Sequence, residues 1–515
     1  MSWYAVFTVA SLGLALYYIT DAIYKLYYHP LSRYPGSAIA AVASSWYEWF
    51  WNYYQNGRLL FELERLHRIH GPVVRIGAND LSINDPEIYL HIARLNSGFT
   101  KDPDFYRCIS FPGTSIGETD AQKHRIRRKV LTPALSSSRV TELAPMIQAR
   151  IDELFSRFDS FAASAQPVNL TAACHALTFD VITEIMFGKP AGCVKETGFR
   201  NAFMDYLDAA FAVGWIATAF PTLTKFAIWT STMSQLSIIP NPFIEFKRRC
   251  LLMTLKYLDT QSEDSTRRAQ TGISKSPRQK AIIDLLRDPN AATGHVVPSL
   301  EALNDEVAIL LTAGNDTTSN ALLFGVYSIC SDERVLELLR KELRTVFPSS
   351  SRRVTYEECR GLRYLTAVIK ETLRLGSPLP GRLPRLVPSS GYQLGDHLLP
   401  SGTSLHLSAY LLNRHPKIWD QADEFIPERW LLENSAHLDN YVATFNRGTR
   451  QCLGKDLAWC ELLIFFANLF WRYDLELIDP DLTWDDLILV KYRHDLRSWI
   501  SLRGTISTGA PKEAS

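Results

Sequence analysis

Residues 445–454 read FNRGTRQCLG and run straight into KDLAWCELLIFFANLF. No other stretch constrains the chain so tightly: a long apolar helix needs a large core to bury it, and the loop before it is built for something other than packing. Cys452 sits between glycines and two residues after Arg450. A core thiol at a helix start is the ordinary reading of a lone cysteine, since free cysteines are among the most buried residues. Such a thiol needs neither flanking glycines nor a guanidinium, and a disulfide needs a partner. Gly448 and Gly454 let backbone approach a flat object closely, Phe445 walls the sulfur from water, and the N-terminal dipole of the helix favours a thiolate. A thiolate in that setting is a metal ligand or a nucleophile.

At 515 residues the chain exceeds the usual size of one core, so it forms two or three domains or one large domain built in lobes. Lys plus Arg is 55 against 54 for Asp plus Glu, a net charge of +1, which leaves no basic field for nucleic acid. The eight cysteines, at 108, 174, 193, 250, 330, 359, 452 and 460, contain no C-x-x-C pair and fit neither a disulfide framework nor a zinc ribbon. The first 20 residues, MSWYAVFTVASLGLALYYIT, are uncharged and precede Asp21, Lys25, His29 and Arg33. This stretch is just long enough to cross a bilayer, and it lacks the basic start and small-x-small site of a cleaved signal peptide. Positive charge after the span and not before it leaves the remainder in the cytosol, where the NLT sequon at Asn169 stays unglycosylated.

Residues 1–28 are therefore expected to form a membrane anchor and 29–36, HPLSRYPG, a short proline and glycine hinge. A helical pattern, GRLLFELERLHRIHG, followed by the strand-like runs PVVRIG and LSIND, makes a small mixed lobe at about 56–98. The pattern from 117 to 375 is mainly helical, with apolar residues at helical spacing in 139–161, 169–187, 242–260, 301–331 and 361–375. Residues 262–280 are polar and aperiodic and read as an exposed loop. Short extended runs, RLPRLVP, YQLGDHLLP and TSLHLS, return at 382–407. No internal repeat is present.

Further motifs stand in order before the cysteine loop. KETLR places Glu371 and Arg374 three apart, on one helix face, and PERW presents Arg429. Either alone reads as a surface ion pair. AGNDTT, residues 313–318, lies inside a helix from about Leu300 to Ser331, where a glycine costs about 1 kcal/mol relative to alanine. A broken local rule inside a strong helix marks function or strain. DAQKHRIRRKVLTPAL, residues 120–135, packs six basic residues closely and by default is a solvated face. No Asn or Asp accompanies a candidate catalytic histidine, as a thiol protease requires, and no second ligand lies at zinc spacing. A single thiolate beside Arg450 suits haem iron, with the guanidinium on a propionate.

Taken together these motifs resemble the cytochrome P450 family. The loop matches its Phe-x-x-Gly-x-Arg-x-Cys-x-Gly signature at every fixed position, KETLR its Glu-x-x-Arg pair, and PERW its Pro-Glu-Arg-Phe element with Trp430 in place of Phe. The likeness extends from the anchor onward; HPLSRYPG, HRIRRKVLTPAL and RQCLGKDLAWCEL look most like fungal biosynthetic microsomal members, the trichodiene-oxygenase type among them. It implies a mainly α fold with a smaller β-containing lobe, its catalytic domain spanning 37–515. It implies haem b with Cys452 as axial ligand and Phe445, Arg450 and Gly454 around it. His124 and Arg128 stand where the family has Trp-x-x-x-Arg, histidine replacing tryptophan, and with Arg385 of LPRLVP they reach the propionates. Ala313 and Gly314 leave room for dioxygen, Asp316 and Thr317 handle protons, and Glu371, Arg374 and Arg429 form a structural network.

The activity so implied is that of a monooxygenase inserting one oxygen atom, by hydroxylation or epoxidation, into an apolar small molecule of secondary metabolism. It would act at the endoplasmic reticulum membrane as a single-pass protein with its catalytic domain cytosolic. Electrons would come from NADPH through NADPH-cytochrome P450 reductase, with cytochrome b5 as a second donor, because the chain has no G-x-G-x-x-G fingerprint. Basic residues of 120–135 not used on haem would face that partner. The run Ala209–Ile244, whose one charge is Lys225, would roof the pocket and dip into the bilayer. FYRCISFPG, residues 105–113, would add Phe105, Ile109 and Phe111 at the entry with Arg107 as polar handle. A haem-thiolate isomerase or dehydratase working without reductase, and a non-catalytic haem sensor or carrier, are the rivals; neither needs the proton-handling pair Asp316 and Thr317. A purely structural anchored protein would be pigment-free.

Overall fold

The structure, a computed structural model, describes residues 3–199, 205–206, 214–224, 226, 241–271, 280–347 and 353–503. Helix α1 (Trp3–Ile23) buries none of its residues and passes into a π-helical turn, Tyr24–Tyr28; together they are long and apolar enough to cross a bilayer. The chain after it does not hang free. Leu31 is fully buried, Gly36 bridges to Arg75, and the Arg75 guanidinium donates to the carbonyls of Lys25 at 2.7 Å, Ala78 at 2.8 Å and Gly77 at 3.1 Å. A side chain at Gly36 would meet the Arg75 carbonyl oxygen at 2.0 Å, so the turn needs glycine for that approach.

The smaller lobe is built on a five-stranded sheet that joins distant parts of the sequence. β1 (Val73–Arg75) and β2 (Asp80–Ile83) form the early hairpin, β3 (Thr100–Lys101) lies at the far edge, and β5 (Arg382–Leu386) and β8 (Ser404–Ser408) complete the order β1-β2-β8-β5-β3. Only β2 and β8 pair in parallel, Asp80 against Ser404. This sheet carries Lys101 and Arg385 side by side on neighbouring strands.

The larger lobe is helical. Helix α2 (Leu59–His70) packs beside the early hairpin, while α3 (Pro103–Ile109) and α4 (Ala121–Leu131) each start on an aspartate, Asp102 and Asp120, that accepts the free N–H groups of the first turn. α5 (Ser137–Ala163) and α6 (Leu170–Phe187) follow. α6 is as apolar and as long as a membrane span, but it is mostly buried and is a core helix. It stops at Gly188, in the left-handed conformation with φ 71°. After α7 (Gly214–Ala219) and α8 (Asn241–Thr271), helix α9 (Leu300–Ser331) crosses the core, buried along most of its length, with its longest contact against α6. Asp332 ends α9 and caps α10 (Glu333–Val346) by accepting the Val335 N–H. α11 (Arg363–Leu375) and α12 (Lys455–Arg472) close the core.

Two outcomes differ from the sequence reading. The polar run from 262 is helical up to Thr271, not a loop, and 272–279 lies outside the described residues. Its Glu, Arg, Ala and Gln favour helix and merely extend one already nucleated at its packed end. The chain after residue 472, for which the sequence offered no strand, forms β9 (Tyr473–Ile478) and β12 (Arg497–Leu502), joined by β4 (Val168–Asn169) in the order β4-β12-β9. Between them β10 (Trp484–Leu487) and β11 (Leu489–Tyr492) make a hairpin with Ile488 at its tip.

Candidate active site

Cys452 lies just before α12, whose N-cap is Gly454, and its N–H donates to the Phe445 carbonyl at 2.7 Å. It is the only exposed one of the eight cysteines, yet it sits deep in the chain, so its sulfur lines an interior space. Burial pushes the thiol's pKa up, against the Gly454 N–H and the charges of Arg128 and Lys455. A cation bound at the sulfur would act against that burial, as it does at a metal-ligating cysteine. Gly448 is needed for the backbone: φ is +65° and a side chain would meet the Ala93 carbonyl oxygen at 2.1 Å. Gly454 is different. Its φ is −87° and nothing lies within 4 Å of where a Cβ would be, so the chain itself has no need of glycine there, whereas a flat group laid against that face does.

Cations converge around this loop. Arg450 donates to the Glu118 carbonyl at 2.8 Å, Arg128 to the Gln451 carbonyl at 2.6 Å, and Arg385 to the Tyr106 hydroxyl at 2.5 Å. Lys101, which the sequence did not single out, is buried, donates to the Ile116 carbonyl at 2.6 Å and lies 4.2 Å from the centre of the Tyr106 ring. Among the described residues none of the four has a carboxylate within ion-pair distance. Burial and the Arg385 charge together lower Arg450 to about 10 and bring Lys101 well below its ordinary value. His124 is buried beside them, and burial with the charges of Arg450, Lys101 and Arg128 lowers it to about 3. The neutral ring offers one N–H donor. Converging cations with no ion-paired carboxylate among the described residues, a bare glycine face and an accessible thiol fit a flat dianionic metal macrocycle such as haem.

Of the other basic residues of α4, Arg127 pairs with buried Glu306 of α9 at 3.4 Å, while Lys123, Arg125 and Lys129 are exposed. Ala313, Gly314, Asp316 and Thr317 lie mid-way along α9. A Cβ at Gly314 would come within 2.6 Å of Ile182 on α6, so helix packing requires this glycine and the room on that face falls to Ala313. Thr317 donates to the Ala313 carbonyl at 2.6 Å. Asp316 does not stand alone: its Oδ1 is 3.3 Å from His175 Nδ1, and its Oδ2 is buried without a hydrogen-bond partner.

Glu371 and Arg374 are completely buried on α11. Arg374 places all five N–H groups, two on Glu371 at 2.7 and 2.9 Å and the rest on the carbonyls of Asn413, Ala422 and Glu424. Arg429 joins Glu371 at 3.0 Å, and Trp430 donates its indole N–H to the same carboxylate at 2.9 Å, a bond that phenylalanine lacks.

Beyond the cation cluster an apolar wall forms from Phe105, Tyr106, Trp215 and Ile488, with Ile109, Leu379, Leu383 and Leu487 packed on it. Phe111 belongs to the main core instead, and Arg107, expected as the polar handle, is exposed. Two guanidinium groups lie against this wall: Arg385, 5.6 Å from the Tyr106 ring, and Arg382, 5.6 Å from the Phe105 ring and 6.0 Å from Trp215. Neither Lys101 nor Arg382 belongs to a spaced motif, and only the strand pairing brings them here. Of the run Ala209–Ile244, residues 209–213, 225 and 227–240 lie outside the described residues.

The comparisons with known proteins bear on the family and the fold. The cytochrome P450 family model matches residues 43–490. The chain is 55% identical over 453 residues to the cytochrome P450 monooxygenase sol6 of Alternaria solani, covering 87% of this chain and 95% of that one. It is 32% identical over 467 residues to the cytochrome P450 monooxygenase aneF of Aspergillus aculeatus, covering 90% and 92%. The crystal structure of a cytochrome P450, CYP102L1, superposes with a TM-score of 0.70 at 18% identity over 86% of this chain and 94% of that one. With the fold, the ordered motifs and these relatives in agreement, the chain belongs to the cytochrome P450 family and is an oxidoreductase of the monooxygenase type.

Proposed function

We propose that the chain holds haem b through Cys452, with Phe445 and Gly454 against the macrocycle and Arg128, Arg385, Arg450 and His124 on its propionates. The carrying observation is the convergence of Lys101, Arg128, Arg385 and Arg450 around the Cys452 loop, none of them with an ion-paired carboxylate among the described residues. Bound there, haem supplies the oxidising chemistry on dioxygen. The chain's residues bind and orient: Ala313 leaves room, Asp316 and Thr317 move protons, and Glu371, Arg374 and Arg429 keep the proximal loop in place. The substrate is an apolar small molecule, an intermediate of secondary metabolism, oxidised by hydroxylation or epoxidation; the wall of Phe105, Tyr106, Trp215 and Ile488 supports its apolar character. Electrons come from NADPH through a separate reductase that docks on Lys123, Arg125 and Lys129, and α1 is a single span that holds residues 37–515 on the cytosolic side of the endoplasmic reticulum.

The test is spectroscopic. The reduced, carbon-monoxide-bound protein should show the red-shifted Soret band of thiolate ligation, and Cys452→Ala should abolish it while single replacement of any other cysteine, Cys460 included, leaves it. A band that survives Cys452→Ala ends this reading.

A further inference from the structure

We propose that His175 is the residue through which protons pass from water to Asp316. This rests on the proton-handling role proposed above for Asp316 and Thr317 and adds a third, positioning member on a different helix. His175 is the sole basic residue of α6, a helix otherwise made for the core. Its ring reaches across to α9, 3.3 Å from Asp316 Oδ1 and 3.1 Å from the Ser319 hydroxyl, which itself donates to the Asp316 carbonyl at 3.2 Å. The surroundings fix this contact. Asn315 donates to Asp316 Oδ1 at 3.2 Å and accepts from Thr178 at 2.8 Å, so two points of α6 hold the acidic turn of α9. Around the pair, Cys174, Thr178, Phe179, Asn315 and Ser319 are at most 1% exposed, whereas the imidazole is 14% exposed. The imidazole is thus more accessible than Asp316, at 9%, and than the groups packed around the pair.

No other carboxylate competes for it. Asp180 is taken by the N–H groups of residues 192–194, Glu184 lies 3.2 Å from Arg150, and Asp495, near the start of α6, is held by Asn169 at 2.7 Å. Among the described residues Asp316 is the one carboxylate within ion-pair distance of His175. The transfer balances: an imidazolium N–H gives its proton to Asp316 Oδ1, leaving neutral imidazole and a carboxylic acid. The carboxyl then turns about its Cβ–Cγ bond, so that the proton received on Oδ1 is presented and given towards Thr317, leaving the carboxylate, and a hydronium ion from solvent reprotonates the imidazole. Among the described residues no hydrogen bond to Oδ2 holds the carboxyl against that turn. Thr317, whose own O–H is spent on the Ala313 carbonyl, presents its oxygen as acceptor.

His175→Gln keeps a donor for Asp316 but cannot carry a proton, which separates a relay from a structural bond. In full-length, haem-loaded enzyme reconstituted with reductase and NADPH and no added substrate, the share of electrons released as hydrogen peroxide should rise at least threefold in His175→Gln. It should rise as much in Asp316→Asn, and no further in the double variant. Independently of turnover, diethyl pyrocarbonate with mass-spectrometric readout should modify His175 of the wild-type chain faster than buried His67 and more slowly than exposed His437. A wild-type peroxide share in His175→Gln, additive effects in the double variant, or a His175 as unreactive as His67 overturns the proposal. A wild-type share in both Asp316→Asn and Thr317→Ala removes the underlying proton role instead, whatever His175 does.

Discussion

A methyl group at position 314 would press into Ile182 at 2.6 Å, and that one distance turns an apparent catalytic signature into a packing constraint. Gly314→Ala should therefore cost about 1–3 kcal/mol of stability. The clash is pairwise, so in a chain already carrying Ile182→Ala the same substitution should cost at least 1 kcal/mol less, as read from denaturant unfolding of a double-mutant cycle. Additive losses would place the constraint elsewhere. The sequence flags Gly314 as out of place in a helix but hides the reason, because Ile182 is on another element with no spacing relation to it. Cys452, Arg450 and Arg385 are legible because a fixed local pattern holds each. Lys101, His175 and Arg382 are not, since their roles come from pairing across strands and helices distant in sequence.

Where side chains from several elements share one carboxylate, the substitution that matters is the one that strands a charge. Glu371→Ala leaves Arg374 and Arg429 buried without their counter-ion, a loss of about 3–5 kcal/mol, and little haem-loaded protein should be recovered. Trp430→Phe removes one neutral donor from the same group, costs about 1–2 kcal/mol, and should leave haem content near wild type. Equal losses in the two variants, compared by absorbance per chain, would contradict this ranking. In the β10–β11 hairpin, Asp486 is buried, and burial lifts it to about 7 against the Ile488 N–H and the Arg382 charge. Between the unfolded carboxylate's range and that value the native chain holds the extra proton, so stability falls as pH rises from about 4 to 7 and the loss is complete above it. The interval corresponds to at most about 4 kcal/mol. Asp486→Asn should flatten the dependence and melt higher than wild type at pH 8, with little difference at pH 4. The long helices could be read in advance because their apolar period repeats several times.

At the scale of the whole molecule, the helical lobe and the smaller strand-bearing lobe were foreseeable from where apolar periodicity and extended runs fall. How the first helix meets the body was not, because the Arg75 guanidinium finds backbone carbonyls, which no side-chain pattern records. Given the anchoring and the separate reductase proposed above, that contact has a kinetic meaning. A globule on a slack tether turns every face to its surroundings, and productive collisions with a donor in the same bilayer are a fraction of all collisions. A tether gripped at its root removes that tumbling and narrows the two-dimensional search to whichever face the grip selects. Arg75→Ala should then slow the first reduction by reductase several-fold in nanodiscs, leave reduction by dithionite unchanged, and preserve the spectrum; equal slowing by both reductants would mean that the residue merely holds the fold. A guanidinium far in sequence from the cysteine would in this way set the rate at which electrons reach it.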